Sequence, residues 1–184
     1  MICVNIENIV ASTTFAKTLD LNLIAQSIVD TEYEPDRFPG LVYRIKHPKT
    51  ATLLFSSGKG ICTGAKNVSA IKDIIYRISD DLQRIGLDVY EKRDLNFEIR
   101  NIVATAALGG ELNLSQVAMG LGLENIEYEP EQFPGLVYRI KEPKVVMLLF
   151  SSGKIVCTGG TTINDVSKGV EKLSNELSSL ELFL

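Results

Sequence analysis

YEPDRFPGLVYRIKHPKTATLLFSSGKGICTG, residues 33–64, returns as YEPEQFPGLVYRIKEPKVVMLLFSSGKIVCTG, residues 128–159, with 24 of 32 positions identical at an offset of 95. A shorter echo precedes each copy: IENIVAST at 6–13 and IRNIVATA at 99–106, offset 93. The chain therefore reads as two tandem copies of one unit, residues 1–92 and 93–184. Duplicated units tend to pack about an internal pseudo-twofold axis, as homodimers do. A target for such a protein is expected to be close to twofold symmetric as well.

With 184 residues and 45% hydrophobic composition, the chain has enough apolar material for a packed core. No apolar run reaches the length of a membrane span, and MICVNIENIV lacks the regions of a signal peptide. The expectation is a cytoplasmic protein without a membrane partner. Cys62 and Cys157 are repeat equivalents and Cys3 is unmatched, so the three cysteines do not form a disulfide framework. There is no CxxC and one histidine, which leaves zinc ligation without support, and no cofactor is expected. Charge is uneven. Residues 1–92 carry 11 Lys+Arg and 11 Asp+Glu, whereas residues 93–184 carry 8 and 12. Taken alone, that balance counts against nucleic-acid binding, which favours a basic footprint.

Each copy has the same predicted layout. A strand (Cys3 to Ala11; Asn96 to Ala106) leads to a short helix near Leu21–Val29 or Leu114–Leu121. Three extended runs follow: 41–46, 51–56 and 60–64, repeated as 136–141, 145–151 and 155–159. Gly-Lys between the last two reads as a hairpin turn. A long amphipathic helix closes each copy, with Val68, Ile71, Ile74, Ile75, Ile78, Leu82 and Ile85 at helical spacing in the first, and Ile163, Val166, Val170, Leu173, Leu177 and Leu180 in the second. Gly86 can stop the first of these helices. Strand side chains alternate, so Leu53 and Phe55 oppose Leu54, and Val146, Leu148 and Phe150 oppose Val145, Met147 and Leu149. Both faces of these strands are apolar. Two helices per copy can cover only one, and the other should be a binding surface.

Catalysis finds little support. His47 has Glu142 as its repeat equivalent and reads as a solvent-facing turn residue before Pro48. Ser56-Ser57-Gly58-Lys59 and Ser151-Ser152-Gly153-Lys154 match SxxK formally, but on hairpins and without companion motifs. Gly58, Gly60 and Gly64 lack dinucleotide-loop spacing. The duplicated phenylalanines are more informative. Phe38 and Phe133 sit beside Pro-Gly, and Phe55 and Phe150 end strands. Core packing explains a lone Phe, but two matched pairs near sheet edges fit the apolar wedges with which architectural proteins open base steps. Asn8 and Asn101 could donate to the acceptors on the minor-groove floor, or simply end a hydrogen-bond ladder. Arg44 and Arg139 could hold phosphates, or belong to a solvated edge.

Together, the paired Asn-Ile-Val, the paired FPGLVYRI, the LLF-SSGK hairpin and the paired Cys-Thr-Gly closely resemble the TATA-box-binding protein family, over essentially the whole chain. The short N-terminus and acidic balance resemble its archaeal branch. The resemblance implies an α+β fold: two pseudo-twofold-related repeats forming a saddle-shaped, curved, antiparallel ten-stranded sheet with four helices on the convex face. It also implies a general transcription initiation factor, not an enzyme, that binds the minor groove of A·T-rich promoter DNA. This family is itself the standard example of strong kinking there, so that mechanism comes with the resemblance. By the same likeness, Phe38 with Phe55 and Phe133 with Phe150 are the kinking pairs. Asn8 and Asn101 are the central hydrogen bonders, supported by Thr63 and Thr158. Val10, Leu53 and Ile61, with Val103, Leu148 and Val156, form the apolar floor; the Ile61 to Val156 change is mild. Arg44, Ser57 and Lys59, with Arg139, Ser152 and Lys154, contact the backbone. Arg37, a further possible phosphate contact, becomes Gln132.

Glu129 and Glu131 resemble the acidic residues that meet the basic transcription factor B, through which RNA polymerase is recruited. The extra negative charge of the second copy is then expected to favour that partner and help give direction to a nearly symmetric complex. Without DNA, the apolar face could also support weak self-association. Two other classes compete. One is a symmetric protein-interaction module using the same apolar face. The other is a hydrolase or glycosylase on a duplicated framework, which lacks a convergent acid, base or metal set.

Overall fold

The computed structural model describes residues 1–184 and contains ten strands and four α-helices. Packing divides the chain into two units: Asn8–Arg100, the first unit, and Met1–Glu7 with Asn101–Leu184, the second. In the first unit the elements are β1 (Val4–Thr14, from Asn8 on), α1 (Leu21–Ser27), β2 (Thr31–Glu32), β3 (Leu41–Ile45), β4 (Thr50–Leu54), β5 (Lys59–Ala65) and α2 (Val68–Arg84). In the second they are β6 (Phe97–Ala107, from Asn101 on), α3 (Leu114–Leu121), β7 (Ile126–Glu127), β8 (Leu136–Ile140), β9 (Val145–Leu149), β10 (Lys154–Gly160) and α4 (Ile163–Ser179). Strand order is β2-β3-β4-β5-β1 in the first unit and β6-β10-β9-β8-β7 in the second, antiparallel throughout. No helix is long and apolar enough to cross a membrane.

The predicted elements are present, with their ends shifted: β4 and β9 stop at Leu54 and Leu149, short of the predicted 56 and 151, so Phe55 and Phe150 lie just past the strands. The leading strands run on to Thr14 and Ala107, because Thr13 and Thr14 pair with Gly60 and Lys59, and Ala107 pairs with Lys154. The first short helix stops at Ser27, where Ile28 turns extended (φ −115°, ψ 126°). Two further strands, β2 and β7, pair with β3 and β8 over two residues each. Helix starts are set by side chains that satisfy free N–H groups. Asp20, Asn67, Asn113 and Thr162 accept from Leu23, Ala70, Gln116 and Asp165 at 3.1, 2.8, 3.2 and 3.0 Å.

One face of each five-stranded sheet is packed under helices. In the first unit Ile9, Ala11, Leu41, Leu54 and Cys62 are buried with Ile71, Ile74, Ile78 and Leu82 of α2. In the second, Ile102, Ala104, Leu136, Met147, Leu149 and Cys157 are buried with Val166, Val170, Leu173 and Leu177 of α4. Cys3 is exposed, and all three cysteines are free. Burial pushes the Cys62 thiol up and the Cys157 thiol up to about 11. A tyrosine reaches from each covered face to the closing helix. The Tyr43 hydroxyl donates to Asp81 Oδ2, and the Tyr138 hydroxyl donates to Glu176 Oε2 at 2.8 Å. Burial first, then the carboxylate, pushes Tyr138 up to about 12.

Gly60 and Ile155 occupy the same place in the two units yet differ greatly in volume. A Cβ on Gly60 would lie 2.5 Å from Phe15 Cε2. Phe15 and Leu108 are themselves equivalent, since their N–H groups donate to the Gly58 and Gly153 carbonyls at 2.8 and 2.9 Å. The first unit fills this part of its core from β1's side, the second from β10's. Gly60→Ile should therefore destabilise by about 1–3 kcal/mol through overpacking, and adding Phe15→Leu should recover most of the loss. Urea unfolding reads both, and equal midpoints for the single and double variants would show that the Phe15 ring is not the obstacle.

Candidate nucleic-acid interface

The face of each sheet that no helix covers collects the predicted residues. On it, Asn8, Val10, Leu53, Ile61 and Thr63 are half-buried in the first unit, and Asn101, Val103, Leu148, Val156 and Thr158 in the second. Register brings the aliphatic ones together: Leu53 pairs with Ile61 and Ile61 with Ser12; Leu148 pairs with Val156 and Val156 with Thr105. Each unit thus presents a strip of branched side chains with one asparagine beside it.

The asparagines are held at a bulge. Register along β1–β5 shifts between Ile9 and Ala11, and along β10–β6 between Cys157 and Gly160. Gly64 (φ 103°) and Gly159 (φ 93°) sit at these shifts. The displaced peptide turns its N–H onto the asparagine: Gly64 N donates to Asn8 Oδ1 at 2.6 Å, and Gly159 N to Asn101 Oδ1 at 2.7 Å. A peptide N–H can only donate, which fixes the amide with its oxygen inward. Asn8 Nδ2 then donates to Thr63 Oγ1 at 3.0 Å, and Asn101 Nδ2 to Thr158 Oγ1 at 3.2 Å. One N–H of each amide remains for an outside acceptor.

The phenylalanines form two edge-to-face pairs. Phe38 and Phe55 have ring centroids 6.0 Å apart at 70°, and Phe133 and Phe150 are 6.0 Å apart at 75°. One tight turn presents the first ring of each pair: Arg37 and Phe38 both donate to the Glu34 carbonyl at 3.0 Å, and Gln132 and Phe133 donate to that of Glu129 at 2.9 and 3.0 Å. Phe38 is 41% exposed and Phe133 40%, high for rings this large. Under them lie Gly40 and Gly135. A Cβ there would stand 2.7 and 3.0 Å from Phe38 and Phe55, or 2.8 and 3.0 Å from Phe133 and Phe150. Each glycine leaves room for both rings of its pair at the strand start.

Polar groups border the apolar strip. Ser57 and Lys59, and Ser152 and Lys154, are exposed on the β4–β5 and β9–β10 turns. Arg44 lies 3.7 Å from Glu32 and Arg139 3.6 Å from Glu127, both pairs in solvent. Such pairs are worth about 0–1 kcal/mol, so a phosphate can displace the carboxylate. Arg37 pairs with Glu34 at 3.3 Å. Gln132 offers no such charge, and Glu129 and Glu131 both stand exposed without an ion pair. No group of three or more His, Cys, Asp or Glu side chains is placed to hold a metal ion. His47 is exposed in its turn. Reading the sequence missed the four glycines that hold the amides and rings, although Gly40/Gly135 and Gly64/Gly159 are duplicated and that was the available signal.

The bulge glycines should differ in tolerance. Gly159→Ala meets only ordinary contacts, nearest 3.8 Å, and should cost about 1–2 kcal/mol for the positive φ. Gly64→Ala would also push its Cβ to 2.8 Å from the Lys49 carbonyl and should cost more. Denaturant midpoints of the two variants test this; equal losses would mean that the crowding is relieved.

A family model described as "Transcription factor TFIID (or TATA-binding protein, TBP)" matches residues 3–85 and 96–180. The TATA-box-binding protein of Picrophilus torridus is 53% identical over 179 residues, covering 97% of this chain and 96% of its own. That of Archaeoglobus fulgidus is 52% identical over 179 residues, covering 97% of each. Among solved structures, Methanococcus jannaschii TBP aligns with a TM-score of 0.88 at 45% identity, over 96% of this chain and 98% of that one. With the model matching both repeats and relatives above half identity over nearly the full length, the chain belongs to the TATA-binding protein family.

Proposed function

We propose that this protein is a general transcription initiation factor, without enzymatic activity, whose repeats 1–92 and 93–184 act as one unit on the minor groove of TATA-like promoter DNA. The observation that carries the reading is the orientation of Asn8 and Asn101. Each amide presents a donor, because its oxygen is taken by a bulge glycine. In the minor groove, A·T pairs offer only acceptors (A N3 and T O2), whereas G adds an N2–H donor that would face another donor. The amides therefore favour A·T by attraction and disfavour G·C by leaving two donors opposed.

The aliphatic strip supports the same reading. Val10, Leu53 and Ile61, with Val103, Leu148 and Val156, make a floor with few hydrogen-bonding demands, suited to the base edges of A·T pairs. Burying such a side chain is worth about 1.5–3 kcal/mol. Unstacking a base step costs on the order of a few kcal/mol. Phe38 with Phe55, and Phe133 with Phe150, are the groups that would enter a step, and the contact made possible by the opened groove offsets the cost. Arg44, Ser57 and Lys59, and Arg139, Ser152 and Lys154, hold backbone phosphates at the borders. Fluorescence anisotropy should show tight binding to a TATA-like duplex and weak binding to a G·C-rich duplex of equal length. Phe38→Ala with Phe133→Ala should abolish bending, read by energy transfer between the duplex ends. Equal weak binding to both duplexes would overturn the reading and leave the apolar face to a protein partner.

Glu129 and Glu131 extend the reading to assembly. Their carboxylates are free where the first unit neutralises Glu34 with Arg37. They suit a basic surface on transcription factor B, which in turn brings RNA polymerase. Glu129→Lys with Glu131→Lys should abolish the ternary complex in a gel-shift assay and leave the binary DNA complex intact; survival of the ternary band would place the partner elsewhere.

A further inference from the structure

Duplication makes each unit a control for the other, and their charges have diverged. The first unit carries 13 Lys+Arg against 12 Asp+Glu, a net of +1; the second carries 6 against 11, a net of −5. Four cations beside the open face are common to both. Arg44, Lys46, Lys49 and Lys59 recur as Arg139, Lys141, Lys144 and Lys154. Three of them line one hollow at the end of β3 with His47, and their counterparts line the matching hollow at the end of β8.

Most of the charged positions that differ around this face favour the first unit, although Asp30, which lines the first hollow, becomes Asn125 in the second and goes the other way. Arg37, beside the Phe38 ring, becomes Gln132; His47, in the basic hollow, becomes Glu142; and Lys66, two residues past the Gly64 bulge, becomes Thr161. The fourth case is a reversal. Arg100 Nε donates to Ser12 Oγ at 2.8 Å, on the open face of the first unit. At the equivalent place in the second unit, Thr105 Oγ1 donates to Glu7 Oε1 at 2.9 Å. Arg100 is partly offset by Glu98 at 3.2 Å, whose counterpart is Asn5, so this pair of positions still differs by one charge. The eight side chains of these four cases are exposed.

We infer that the two units grip the DNA backbone unequally: the first supplies most of the phosphate neutralisation, and the second holds chiefly by its apolar strip and Phe pair. The inference rests on the minor-groove reading above. It names Lys66 as a backbone contact of the first unit that has no counterpart, and Glu7 as a carboxylate that keeps phosphate at a distance on the second. Binding at high salt then depends on the second unit's apolar face, and at low salt on the first unit's cations.

Each phosphate contact contributes about 0.9 to the slope of log K against log salt. Arg37→Gln with Lys66→Thr gives the first unit the residues of the second, at exposed positions. The slope on a TATA-like duplex should fall by about 1.8, so the affinity loss relative to wild type should be about tenfold larger near 50 mM salt than near 200 mM. The reciprocal variant, Gln132→Arg with Thr161→Lys, should steepen it by a similar amount. Circular dichroism checks that both remain folded. Either variant keeping the wild-type slope, with A·T selectivity retained, overturns the inference. Wild-type protein that fails to discriminate the A·T from the G·C duplex overturns instead the minor-groove reading beneath it.

Discussion

A five-stranded sheet with apolar side chains on both faces, and helices for only one of them, is the constraint from which the rest of each unit follows. The helices α2 and α4 take the faces built on Ile9, Leu54 and Cys62, or on Ile102, Leu149 and Cys157. What remains is a strip of Val, Leu and Ile that water covers poorly. Polar groups cannot be scattered over such a strip without losing its affinity for an apolar surface, so charged groups are confined to its border, and besides the hydroxyls of Ser12 and Thr63, or Thr105 and Thr158, one inner position carries an amide. That inner position is the asparagine, and it is permitted because its oxygen and one of its N–H groups are already satisfied within the unit.

Much of this was legible in the chain. The repeat set the number of units, the alternation in VVMLLF exposed the uncovered face, and the spacing of Ile71, Ile74 and Ile78 gave the closing helix its buried side. Other features left no pattern to read. Thr31–Glu32 and Ile126–Glu127 are too short for a period of two to appear, so two of the ten strands were visible only through the family resemblance. The rotation of an asparagine amide depends on a peptide N–H brought 56 residues along the chain by a bulge, and composition carries no trace of that. The unpaired state of Glu129 follows from a change at Gln132 whose meaning depends on a loop conformation.

The two copies also separate what the fold requires from what it tolerates. Gly40 and Gly135 lie beneath ring pairs of nearly equal geometry, and the amide-to-bulge bonds agree within 0.1 Å. The core under β1 and β10 is filled by Phe15 in one unit and by Ile155 in the other. The shared features are those that shape the open face, where position as well as volume is fixed. In the core, total volume is the quantity that must be kept, and it can be supplied from either side.

Three free thiols, of which two are buried at equivalent strand positions, have a practical consequence. Burial holds Cys62 and Cys157 in the protonated form, which neither attacks electrophiles nor is reached by them. Cys3 alone meets solvent. A maleimide or iodoacetamide dye at neutral pH therefore finds one sulfur in the folded chain and three in the unfolded one. The unaltered sequence carries both a single labelling point and a covalent reporter of core opening.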